Sequence, residues 1–191
     1  MIRYLTVFCG SNNGNNKIYT ETAYNLGAFL AKNNICLVYG GAKIGIMGSV
    51  AQGVMDNGGK AIGIIPNFLT KKEVVHNNLT ELIVTKTMQE RKHLLYDKAD
   101  AYIVLPGGIG TLDELSEVLG YIQLSLINKP IGLLNINKYF DSLLKYLKHT
   151  VDEKLMPLNV YEALIVDKNY KELLTKLNNT NIQPMPKWID V

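Results

Sequence analysis

Two short stretches carry residue types from which a reactive site could be built. In LPGGIGTLDEL, Leu105 to Leu115, three glycines (Gly107, Gly108 and Gly110) follow an apolar run and lead into an acidic, helix-like segment. Glycines there let the backbone take dihedrals closed to other residues and come within hydrogen-bond distance of a ligand. The following helix adds free N–H groups and a positive dipole end, a combination that suits a phosphate. Thr111 either caps that helix or turns its hydroxyl to the same oxyanion. The second stretch, TMQERKHLL, sets Arg91 and Lys92 in the first turns of a helix just after a strand. An arginine at such a place holds a phosphate or a sugar hydroxyl in fixed geometry, whereas a lysine acts more as a point charge.

The acids Asp113 and Glu114 fall where the helix after the glycine loop is expected to begin. Asp113 fits plain complementation of the helix dipole. Glu114 is harder to account for in that way, because a carboxylate a few ångströms from a bound phosphate is costly unless it has chemical work or a cationic partner. Arg91 is the candidate partner. Each feature also has a bland reading: a glycine-rich strand-to-helix turn that binds nothing, and a charged triplet on a solvated helix face.

Other chemistries find no support. The stretch VYGGAKIGIMGSVAQG is a second glycine-rich turn, but Gly41, Gly45 and Gly48 lack dinucleotide-fingerprint spacing, and neither loop continues into the Gly-Lys-Ser/Thr of a P-loop. His76, His93 and His149 are scattered without ligand spacing, so no metal and no cofactor is expected. No Gly-x-Ser-x-Gly elbow or Cys/His pairing points to a nucleophilic hydrolase. Glu73 lies in the long loop after Pro66, with an ordinary loop-residue reading.

The elements that must position these residues are short apolar runs: YLTVFC, ICLVY, KAIGII, LIVT, AYIVL and PIGLLN, with EALIVD as a further edge strand. Continuous hydrophobicity without alternation is the mark of strands covered on both faces of a parallel sheet. Amphipathic segments alternate with them, as at Tyr19 to Lys32. The expected fold is therefore α/β: a doubly wound, mainly parallel sheet of six to seven strands flanked by helices, in one domain over residues 1–191. Gly10 and Ser11, Gly40 and Gly41, Pro66, Arg91 and Lys92, and PGGIGT then all lie beyond carboxyl ends of strands, where such sheets bind ligands. The tail QPMPKWIDV is expected to pack on a surface or a partner.

The 20 basic and 17 acidic residues of this 191-residue chain are interspersed, so the net charge of +3 argues for neither a nucleic-acid arm nor a membrane patch. Cys9 and Cys36, without CxxC spacing, read as buried free thiols in a reducing compartment. No stretch approaches the roughly 18 continuous apolar residues of a membrane span, and the N-terminus lacks a signal-peptide pattern. A cytoplasmic location is expected.

The stretches VFCGSNNG, LVYGGAKIGIMGSVA, GIIP, MQERK, LPGGIGTLDEL and KPIGLLN occur in an order and spacing that resemble the Lonely Guy family of cytokinin riboside 5'-monophosphate phosphoribohydrolases, over about Val7 to Asn135. The resemblance implies a Rossmann-like fold and hydrolysis of the N-glycosidic bond of a nucleoside 5'-monophosphate, by homodimers with sites near the interface. It assigns Arg91 and Glu114 as the catalytic pair. Glu73, Lys92, Gly107, Gly108, Ile109, Gly110, Thr111, Leu112 and Asp113 map onto substrate-contacting positions, with Ser11, Gly41 and Met88 as further candidates. The sequence departs from the commoner pattern at Ala42, Ile46, Thr87, Gln89 and Gly120, which leaves the pair intact and the base specificity open. Many members carry a lysine decarboxylase label, yet no pyridoxal phosphate site is recognisable here. The competing reading is a non-catalytic carrier of a nucleotide or phosphorylated cofactor in the same fold; the joint presence of Arg91 and Glu114 favours an enzyme.

Overall fold

Each apolar run becomes a strand of one sheet. The computed structural model describes residues 1–70 and 75–183. The strands are β1 (Tyr4–Phe8), β2 (Cys36–Tyr39), β3 (Ala61–Pro66), β4 (Glu81–Thr85), β5 (Ala101–Val104), β6 (Ile131–Leu134) and β7 (Leu164–Asp167). They run in the order β4-β3-β2-β1-β5-β6-β7, with every pairing parallel. The expected boundaries hold to within a residue or two. β4 is the exception to burial on both faces: it is an edge, and its Leu82 and Val84, two residues apart and so on one face, are exposed.

Between the strands come α1 (Ile18–Lys32), α2 (Gly45–Asp56), α3 (Asn67–Thr70), α4 (Met88–Asp97) and α5 (Ile109–Gln123). After β6 follow a short 3-10 turn (Ile136–Lys138), then α6 (Asp141–Asp152), α7 (Leu158–Ala163) and, beyond β7, α8 (Tyr170–Asn179). The start of EALIVD is thus helix, and its strand begins at Leu164. Of the C-terminal tail, residues 184–191 lie outside the described part.

Two apolar layers hold the helices to the sheet. On one face Leu26 and Leu30 of α1, Val50 and Val54 of α2 and Leu173 and Leu177 of α8 meet Leu5, Leu37 and Ile103. On the other, Leu95 of α4, Leu115, Val118 and Ile122 of α5 and Val160 of α7 cover Phe8, Val38, Ile64 and Val104. α1 and α2 approach so closely that a Cβ on Gly27 would run into the Val50 carbonyl, and one on Gly53 into that of Tyr24. Those glycines serve helix-helix rather than helix-sheet packing.

The chain winds outward from β1 to β4, then crosses back to place β5 on the other side of β1. The reversal leaves a crevice at the carboxyl ends of β1 and β5. Gly10, just past β1, donates its N–H to the Pro106 carbonyl just past β5 at 3.0 Å, and its own carbonyl accepts from Met47 N in α2 at 3.2 Å. Three loops are tied together there.

Candidate active site

α4 and α5 enter the crevice side by side, each with a buried charge near its start. Thr87 opens α4 as an N-cap, its hydroxyl accepting from Glu90 N at 3.1 Å. Threonine here does what an aspartate would do, so this departure from the family pattern keeps the cap. One turn on, Arg91 is 7% exposed. Its Nε donates to the Ile64 carbonyl at 3.0 Å and its Nη1 to Glu114 Oε1 at 3.2 Å. Gly40 leaves room for this guanidinium, since a Cβ there would collide with it. Glu114 is 5% exposed. Burial pushes its carboxyl up to about 7, against the opposing pull of Arg91. A buried acid that titrates near neutrality can carry or release a proton at working pH.

Two expectations about the glycine loop need correction. First, none of Gly107, Gly108 and Gly110 has a positive φ; in this chain those are Gly14, Gly41, Gly45 and Gly58. The loop needs its glycines for space. A Cβ on Gly107 would strike the Thr111 side chain and come 2.8 Å from Gly10 N, whereas Gly108 and Gly110 have nothing within 4 Å of that position. Second, α5 begins at Ile109, so Asp113 and Glu114 fall in its second turn and no acid occupies the first. Dipole complementation therefore does not explain Asp113, which instead pairs with Lys92 at 3.1 Å.

Gly108 is the N-cap of α5, and no side chain caps it, Thr111 included. Leu112 N bonds the Gly108 carbonyl at 3.1 Å; the amides of Ile109, Gly110 and Thr111 before it have no carbonyl one turn back. They point out of the helix end at the edge of a cavity of about 450 Å³, within the range of small-molecule sites.

Of the candidate residues, Ser11, Met88, Arg91, Gly107, Gly108, Ile109, Gly110, Thr111, Asp113 and Glu114 line this cavity. Lys92 does not; its ammonium is held by Asp113 and Glu117. Leu112 borders a separate apolar groove between α5 and α6, and Gly41 packs behind the cavity against Gly63 and Ile65. Glu73 lies outside the described residues. The wall also contains Tyr19, Met47, Leu69 and Tyr139, which sequence reasoning did not single out. Tyr139 donates its hydroxyl to the Gly107 carbonyl at 2.7 Å and meets Tyr19 edge-on, with ring centroids 5.6 Å apart. Tyr139 follows β6, and counting that strand's carboxyl end with the other five was the available signal. Among the described residues no group of His, Cys, Asp and Glu could hold a metal.

The residues at the departures from the family pattern are also placed. Ile46 lines the cavity, Ala42 is buried, and Gly120 stands away from the cavity with open space where a side chain would be.

A family model described as "Possible lysine decarboxylase" matches residues 47–177. Pyridoxal phosphate chemistry needs a lysine for the Schiff base, and among the described residues no lysine lines the cavity. A cytokinin riboside 5'-monophosphate phosphoribohydrolase of Arabidopsis thaliana is 42% identical over 175 residues, 92% of this chain and 81% of that protein. One of the same name from Rhodococcoides fascians is 39% identical over 176 residues, 92% of this chain and 89% of the relative. Among solved structures, the molybdenum cofactor binding protein of Rippkaea orientalis matches with a TM-score of 0.71 at 22% identity, covering 94% of this chain and 97% of that one. At that identity the likeness speaks for the Rossmann-like fold alone. The family match from 47 to 177, with relatives near 40% identity across most of the chain, makes this protein a member of the Lonely Guy family.

Proposed function

We propose that this protein hydrolyses the N-glycosidic bond of a purine nucleoside 5'-monophosphate, AMP or a cytokinin-type N6-substituted relative, to free base and ribose 5-phosphate. The observation that carries this reading is the buried Arg91–Glu114 pair set one helical turn from the amides that open α5, which have no partner among the described residues. The 5'-phosphate sits on those amides, over the bare faces of Gly108 and Gly110, and anchors the ribose. As the bond from C1' to the base nitrogen breaks, positive charge grows on the sugar. The Glu114 carboxylate stabilises it and takes a proton from the water whose oxygen bonds to C1', while Arg91 keeps the carboxylate in register. The departing base takes up a proton in the same turnover.

A carrier of a phosphorylated cofactor would gain nothing from a buried acid beside the anion site. Turnover is the deciding measurement. Purified protein is incubated with AMP and with isopentenyladenosine monophosphate, and free base is followed by chromatography. Glu114→Gln lowers kcat by about 10²–10⁴-fold while AMP binding by calorimetry stays within a few-fold. Near wild-type activity in this variant overturns the role of Glu114, and absence of base from any nucleoside monophosphate favours the carrier.

The working form proposed is a homodimer. The apolar groove of α5 and α6, walled by Leu112, Leu119, Leu143 and Tyr146, shares Ile109 and Asp113 with the active-site cavity, so a second copy seated there borders the site. No nucleic acid or membrane is part of this reading; among the described residues no helix is long and apolar enough to cross a bilayer. The buried free thiols of Cys9 and Cys36 support a reducing compartment and hence the cytoplasm.

A further inference from the structure

Behind the reacting pair, α4 and α5 are joined a second time. Lys92 directly follows Arg91, and Asp113 directly precedes Glu114. Lys92 Nζ lies 3.1 Å from Asp113 Oδ2 and 2.6 Å from Glu117 Oε2. Glu117 also accepts the Tyr96 hydroxyl of α4 at 2.6 Å and the Tyr121 hydroxyl of its own helix at 3.0 Å. Tyr96 and Tyr121 meet edge to face, with ring centroids 5.9 Å apart, so the donors are themselves packed in place. Glu117 is thus a carboxylate with three donors, two of them from the facing helix, and it stands one turn from Glu114 on α5. Burial pushes its carboxyl up, but the bonds from Lys92, Tyr96 and Tyr121 outweigh this and hold it below the ordinary range.

The reacting pair depends on the spacing of these helices. Arg91 is fixed to β3 through the Ile64 carbonyl and offers Glu114 a single contact at 3.2 Å. A small slide of α5 along α4 breaks that contact, and the apolar layer beneath does not specify register at the level of one hydrogen bond. A multiply bonded charge does.

We propose that Glu117 is a positioning residue for the reaction: with Lys92, Tyr96 and Tyr121 it clamps α4 to α5 and so sets Glu114 against Arg91. This also gives Lys92 a task outside the cavity wall. The proposal rests on the hydrolase reading, and its test therefore includes a readout that does not need turnover.

The variant is Glu117→Gln, which keeps the shape and an acceptor but removes the charge that binds Lys92. kcat for base release falls about 10-fold or more while KM stays within about 3-fold, because the phosphate cradle is untouched. In a Glu114→Asp background, where the contact with Arg91 is already altered, the same change costs little more, the non-additivity expected of residues acting as one unit. The second readout is the titration of Glu114, followed by carboxyl-carbon NMR in the full protein. Glu114 faces Arg91 and Lys92 on α4, Asp113 on its own helix and Cys9 past β1. Losing the close approach of Arg91 moves its midpoint upward by about half a unit or more. An unmoved midpoint, an additive loss in the double variant, or KM and melting temperature changing together with kcat overturns the proposal. A wild type that releases no base while the midpoint still moves defeats the hydrolase reading and leaves the clamp standing.

Discussion

Glu114 is a carboxylate almost out of water with one cation, Arg91, in direct contact, and two consequences follow at the scale of this residue. Its proton is held more tightly in the native state, with a value of about 7, than in the unfolded chain, where 4.5 applies. The stability it lends is therefore complete below about 4.5 and is lost as pH rises through about 7. Melting temperature, measured between about pH 5 and pH 8, should fall more for the wild type than for Glu114→Gln, in which this titration is absent. Activity has the opposite sense: if the carboxylate form does the work, kcat/KM rises with pH through about 7, and a flat profile across that range would show that another group governs the reaction. Arg91 and Glu114 were legible in the sequence because each stands near the start of a helix next to a predicted strand end. Lys92 was drawn to the ligand by its place past a strand end and by the family resemblance. On a helix, consecutive side chains point about 100° apart, so the residue after a buried arginine faces elsewhere, here toward Glu117.

At the scale of elements, the proposed phosphate site is the start of α5, and the glycines of the loop leading into it divide by role. Gly107 is hemmed in by Thr111 and Gly10. Gly107→Ala therefore costs about 1–3 kcal/mol and lowers the melting temperature. Gly110 is inside the helix with open space beside it. Gly110→Ala leaves the fold as stable or up to about 1 kcal/mol more so, yet raises KM by about 10-fold or more, because the new methyl occupies the anion's approach. Equal effects of the two changes on stability would contradict this division. The strands were readable because parallel strands buried on both faces have no polar alternation to confuse them. The start of α5 was not, because PGGIG has the composition of a loop, and only the open cavity beside Gly108 and Gly110 explains why a helix begins with residues that disfavour it. Likewise the end of α7, Glu162 and Ala163, was taken into an apparent strand, since short apolar runs do not declare their period.

At the scale of the molecule, a parallel, doubly wound sheet was implied by alternating strands and helices, whereas the place of the reversal, between β1 and β5, comes from the structure. The cavity's aromatic wall was not, for Tyr19 and Tyr139 come together only through the fold. The α5–α6 groove gives the surface its exposed apolar face: Ile109 is 82% and Tyr146 62% exposed. Tyr146→Glu places a charge in that groove without touching the cavity. It should split the proposed dimer into monomers, read by light scattering, and lower activity with it; a variant that remains a dimer would move the interface elsewhere. The reversal has a further consequence for how the protein comes to life. Arg91 is synthesised with the first half of the chain, and Glu114 only after the crossing that lays β5 against β1. A nascent chain that has finished its first four strands and α4 therefore presents an arginine whose acid is still to be made. The pair forms only when β5 has been laid against β1 and α5 has followed it into the crevice.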